Sequence, residues 1–187
     1  MVVLFVVPSR LFVAATFGST GVMVMAALLT GGASWPKPGT RALVAGVLSA
    51  VVLYLIFYCG NLAIVRFGFP GASGPTGASI YALISAPSNP LALQVSVLAF
   101  DAVGYESYFR GTLQSRLQPR LGASSAPLVA LVDAVLHLVT GNLLWVATTF
   151  VADSVWGLTC YYGKDLSASV TSHFLWDIAI FIIRPVR

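Results

Sequence analysis

Apolar residues in this chain run in long blocks, separated by short polar or turn-forming punctuation. The blocks fall at about 11–30, 42–65, 91–110, 125–139, 143–162 and 167–184. An α-helix rises about 1.5 Å per residue, so about twenty apolar residues cross a hydrocarbon layer of about 30 Å. Most of the blocks approach that length, and 125–139 is short. The pattern predicts an all-α, polytopic integral membrane helix bundle of about six transmembrane helices. The opening MVVLFVVPSR lacks a small-residue cleavage pattern after its apolar run and is expected to lead into the first span.

The punctuation is specific. GGASWPKPGTR (31–41) is a turn-rich loop that sets Trp35 at a membrane interface. RFGFPGASGPTG (66–77) is too rich in Gly and Pro for a helix, and ASIYALIS (78–85) fits a short interfacial or re-entrant helix ended by Pro87 and Pro90. From Leu91 a long helix is expected to run past Arg110 into TLQSRLQPR. With no internal repeat, the chain reads as a single transmembrane domain over 1–187. Residues 1–90 supply scaffold helices and loops, and 91–187 the motif-bearing helices.

Composition excludes several classes. Hydrophobic residues make up 58% and charged residues 9%, against roughly 25% charged in soluble domains, which excludes both a soluble globule and a disordered chain. Cys59 and Cys160 lie in apolar runs and read as small buried hydrophobes, not a disulfide framework. The net charge of +4 is spread singly, mostly at the ends of apolar blocks where Lys and Arg meet headgroups, so no nucleic-acid partner is expected. With six spans, Lys37, Arg41, Arg116, Arg120 and Lys164 fall on one side, and Arg10, Arg66, Arg184 and Arg187 on the other. The acids are less evenly placed. All six (Asp101, Glu106, Asp133, Asp153, Asp165, Asp177) lie in the second half.

An acid at the bilayer centre costs about 2.5–3.5 kcal/mol on insertion scales, so such residues face a protein interior and usually serve a function. Most of the polar residues here come in pairs four apart, on one helical face: Asp101 with Tyr105, Glu106 with Arg110, Asp133 with His137, and His173 with Asp177. Each pair alone serves equally well as a structural ion pair or a helix clamp. Together they bring Glu, Asp and both histidines of the chain onto three helices with few other ionisable groups. A carboxylate beside a neutral imidazole activates water, and a second imidazole stabilises an oxyanion.

GYESYFRG (104–111), VDAVLHL (132–138) and SHFLWDI (172–178) resemble, in order, the three motifs of the CPBP intramembrane proteases. These are the type II CAAX prenyl endopeptidases and their bacterial and archaeal relatives, some tied to bacteriocin processing and self-immunity. The family's motifs are a glutamate pair, three residues and arginine; phenylalanine, three residues and histidine; and histidine, three residues and asparagine or aspartate. The resemblance implies an intramembrane endopeptidase of the cell membrane that hydrolyses a peptide bond of a membrane-associated substrate through a Glu/His-activated water. It implies no cofactor. Zinc stands as an alternative, because the same residue types bind it. Carried over, the catalytic set is Glu106, His137, His173 and Asp177. His137 pairs with a carboxylate to activate water, and His173 with Asp177 binds the oxyanion. Arg110 anchors the first motif. Prenylated substrates are implied only by the family's eukaryotic and some archaeal members.

Two positions depart from the pattern. Tyr105 stands where the family has its water-activating glutamate, and Asp133 where it has phenylalanine. Asp101, one turn before Tyr105, and Asp133, one turn before His137, are the acids that can return a carboxylate to the pocket. Asp133 is the better placed to fix the His137 tautomer, while Asp101 is expected to hydrogen-bond the Tyr105 hydroxyl or line the cavity mouth. The alternative is a non-catalytic membrane scaffold or immunity-type protein on the same fold. GASG (71–74) also fits the serine motif of rhomboid proteases. Ser73, however, lies in a Gly/Pro loop directly before Gly74 and Pro75, not at the start of a helix. A small proton or cation transporter is disfavoured by the lack of a repeat.

Overall fold

Prolines and glycines in the sequence mark where the helices begin and end. In the computed structural model, which describes residues 12–31, 38–68 and 90–184, the order is α1 (Phe12–Leu29), α2 (Thr40–Phe67), α3 (Leu91–Glu106), a π-helical segment Ser107–Gln114, α4 (Ser115–Leu121), a 3-10 turn Gly122–Ser124, α5 (Ser125–Leu136), a second 3-10 turn His137–Thr140, α6 (Leu143–Gly163), α7 (Leu166–Asp177) and a π-helical end Ile178–Ile183. Pro90 is the N-cap of α3, where its missing N–H would have had no helical partner. Two tight turns share one design. Gly141 is left-handed at φ 66° and Asn142 then caps α6 by accepting from the Trp145 N–H at 3.1 Å. Lys164 is left-handed at φ 53° and Asp165 caps α7 by accepting from the Ser167 N–H at 2.9 Å.

Each expected apolar block is helical over its described length, and no strand occurs among the described residues. Among the described residues, four runs are long and apolar enough to cross a membrane: Thr40–Phe67, Leu91–Thr140, Leu143–Gly163 and Leu166–Ile183, with Val13–Leu29 apolar but shorter. The 50-residue run is not one rod. Tyr105 and Asp133, 28 residues apart, are hydrogen-bonded, whereas a straight helix would hold them about 42 Å apart. The chain reverses at Gly122, whose φ of 55° and ψ of −132° suit glycine and strain other residues. Two of the expected spans are therefore the arms of one helical hairpin.

The helices meet at small residues, as membrane helices do when close packing rather than water exclusion drives association. A Cβ on Gly46 of α2 would sit 2.6 Å from the Ala168 carbonyl oxygen of α7; one on Gly157 of α6 would sit 2.8 Å from Ala126 Cβ of α5; one on Gly104 of α3 would overlap Thr20 of α1. Hydroxyls bridge the same seams. Ser49 Oγ lies 2.6 Å from Thr159 Oγ1, and the Ser172 hydroxyl donates to Ser49 at 3.0 Å. Leu48, Val51 and Leu55 of α2 are exposed and form a lipid-facing surface. Cys59 is exposed and Cys160 half-buried, which corrects the expectation of two buried thiols. Cys59 sits on an outward face of its helix, where lipid serves an apolar side chain as well as a core does. The opening 1–10, Trp35 and its neighbours, most of the Gly/Pro stretch with Ser73, and the expected helix 78–85 lie outside the described residues.

Candidate active site

Five of the six acids and both histidines turn inward, and most of them join one network. Glu106 and Asp153 are 0% exposed, and Arg110, His137 and His173 1%. At one end, His137 closes the last turn of α5. Its Nδ1 lies 2.9 Å from the Asp133 carbonyl oxygen and 3.5 Å from Asp133 Oδ2. A carbonyl oxygen only accepts, so Nδ1 carries the proton and, in the neutral ring, the lone pair lies on Nε2.

The network then passes to α3. The Tyr105 hydroxyl is within hydrogen-bond distance of Asp133 Oδ2 and 2.9 Å from Asp153 Oδ2 of α6. The other oxygen of Asp153, Oδ1, lies 3.2 Å from Arg110 Nη2. Arg110 Nε in turn lies 3.3 Å from Glu106 Oε2. The remaining oxygen of Glu106, Oε1, is 2.9 Å from His173 Nδ1, and His173 Nε2 is 3.5 Å from Asp177 Oδ2. The His173 ring also stacks on Trp156, with centroids 3.7 Å apart and planes at 11°. Tyr105 meets it edge-on at 5.3 Å.

Adjacent helical residues point about 100° apart, and here that divergence is used. Tyr105 faces α5 and α6 while Glu106 faces α7. The π-helical segment begins immediately after them, a feature frequent at functional sites. It carries Arg110 and also Gln114, whose Nε2 donates to the Gly157 carbonyl oxygen of α6 at 2.8 Å.

The network thus unites Tyr105, Glu106, Arg110, Asp133, His137, His173 and Asp177. Asp101 is placed differently from the expectation. Its carboxylate accepts from the Thr20 hydroxyl of α1 at 2.9 Å and does not bond Tyr105, because the Tyr105 ring extends away towards α5 and α6. It keeps electrostatic contact with His173 and Asp177. Two members escape the sequence reasoning. Asp153 has no ionisable partner four residues away, although a lone acid within an apolar helix is itself a signal. Trp156 follows it by three residues on the same face and looks like core. Among the described residues, no three His, Cys, Asp or Glu side chains are grouped to hold a metal ion.

Apolar helices long enough to span a bilayer, closed around one ionisable network, define an integral membrane protein with a polar interior site. Residues 87–179, from just before α3 to just past α7, match the family model described as type II CAAX prenyl endopeptidase Rce1-like. Through this stretch the chain belongs to that family of CPBP-type intramembrane proteases. No curated protein and no solved structure matches it.

Proposed function

We propose that the chain is an intramembrane endopeptidase of the cell membrane that hydrolyses a peptide bond of a membrane-associated protein in a metal-free site. Residues 1–90 serve it as scaffold. The observation that carries this reading is the contact between Tyr105 and Asp133 beside His137. The family pattern has an acid at the first of these positions and an aromatic at the second. Here an aromatic and an acid stand at the same two positions with their places exchanged, so a carboxyl group is kept next to His137. Water is activated by His137 Nε2, with Asp133 orienting the ring and balancing its charge as it takes up the proton. Such a general base contributes about 10²–10⁴-fold. Glu106 holds His173 rather than His137, and His173 with Asp177 forms the wall that stabilises the oxyanion.

The test is a membrane-peptide reporter in proteoliposomes. Asp133→Asn should lose cleavage, and the exchange Tyr105→Glu with Asp133→Phe should retain it. A second reading, a non-catalytic scaffold on the same fold, is favoured by one observation: the Tyr105 hydroxyl is engaged on both sides by groups of this chain. Absence of cleavage by folded wild type and by the exchanged variant alike would leave that reading standing.

A further inference from the structure

Asp153 belongs to none of the three motifs, yet it touches both Tyr105 and Arg110. A phenol carries one O–H, so it donates to one acceptor at a time. Here two carboxyl groups approach the same phenolic oxygen. With both ionised, one of them would face the lone pairs of that oxygen inside a buried site, an uncompensated contact in a low-dielectric region. The wider charge balance points the same way. Asp101, Glu106, Asp133, Asp153 and Asp177 are all buried, and as carboxylates they would outweigh Arg110 and both imidazoles even if each imidazole were protonated. A buried site in that state must hold further protons on its acids.

We propose that Asp133 and Asp153 share one proton across the Tyr105 hydroxyl, which makes Asp153 a positioning residue acting through Tyr105 and Arg110. The phenol donates to one carboxylate while the other, as a carboxylic acid, donates to the phenolic oxygen, so neither carboxyl group meets that oxygen with lone pairs alone. The groups facing the trio are His137 from its own end of α5, Glu106 from the end of α3, Arg110 from the π-helical segment and, edge-on to Tyr105, His173 of α7. The inference rests on hydrogen-bond geometry and burial and does not depend on the hydrolytic reading. If the chain is a peptidase, the shared proton lets negative charge settle on Asp133 as His137 becomes cationic.

The experiment is infrared spectroscopy of the purified protein in lipid at neutral pH, in light and heavy water, with carboxyl-¹³C aspartate as a label. Wild type should show a deuterium-sensitive carboxylic-acid band that moves with the label. Tyr105→Phe, which keeps the ring and removes the bridge, should shift its frequency. Asp133→Asn and Asp153→Asn should each remove the component that shifts in Tyr105→Phe, while Asp165→Asn at the α7 cap leaves it intact. A wild type without the band, or a band unmoved in Tyr105→Phe, overturns the proposal, and neither result depends on the aspartate variants folding.

Discussion

The ring of His137 is held from within its own helix, by the carbonyl oxygen of Asp133 one turn back at 2.9 Å. The ring of His173 is held across helices, by Glu106 at 2.9 Å and by the face of Trp156 at 3.7 Å. The first anchor forms with the helix itself. The second exists only once α3, α6 and α7 have packed. Two imidazoles at opposite ends of one network therefore depend on different levels of structure, and substitution should separate them.

The largest effect is expected at Arg110, which joins the two ends. Arg110→Ala strands Glu106 and Asp153 in the interior, and removing one partner of a buried pair costs about 3–5 kcal/mol. The variant should accumulate poorly and melt far below the parent in detergent. Parent-like melting would show that the ends are held independently. Next come the histidines. His137→Ala and His173→Ala should both abolish reporter cleavage and lower the melting temperature, His173→Ala by more, since it also leaves a buried carboxylate oxygen unpaired at about 1–3 kcal/mol. Equal thermal losses in the two variants would erase the distinction between local and tertiary anchoring. Trp156→Leu removes the stacking surface of His173, a contact worth about 0.5–1.5 kcal/mol beyond its buried area, and should slow cleavage while leaving the NMR chemical shifts of the His137 ring in place. The smallest effects are at the caps. Asn142→Ala, just after the His137 turn, and Asp165→Ala, before α7, should each cost about 1 kcal/mol in thermal melts.

The same division decides what the sequence makes legible. The apolar blocks and their breakers locate every described helix, because helix length and turn chemistry are local properties. Spacing of four finds Glu106 with Arg110, Asp133 with His137 and His173 with Asp177, since each pair lies along one helix. It wrongly joins Asp101 to Tyr105 and passes over Asp153, whose partners come from other elements. Those meetings are set by how deeply helices seat at Gly104 and Gly157 and by the reversal at Gly122, and no periodicity within one helix records them. The partner of Tyr105 across the fold, and the role of Trp156 against His173, become visible only with the helices packed.

The reversal at Gly122 also bears on how the protein enters its membrane. Because α3 with its π-helical continuation and α5 are arms of one hairpin, with α4 and a short turn at its tip, the translocation machinery receives Tyr105 and Asp133 as parts of a single unit. Their bond can form before α6 and α7 have been synthesised. Once formed, that bond gives the acid of α5 a hydroxyl partner instead of bare lipid, where an unshielded acid would cost about 2.5–3.5 kcal/mol. Asp153 and His173 then arrive at a half-built polar seam that is ready to receive them.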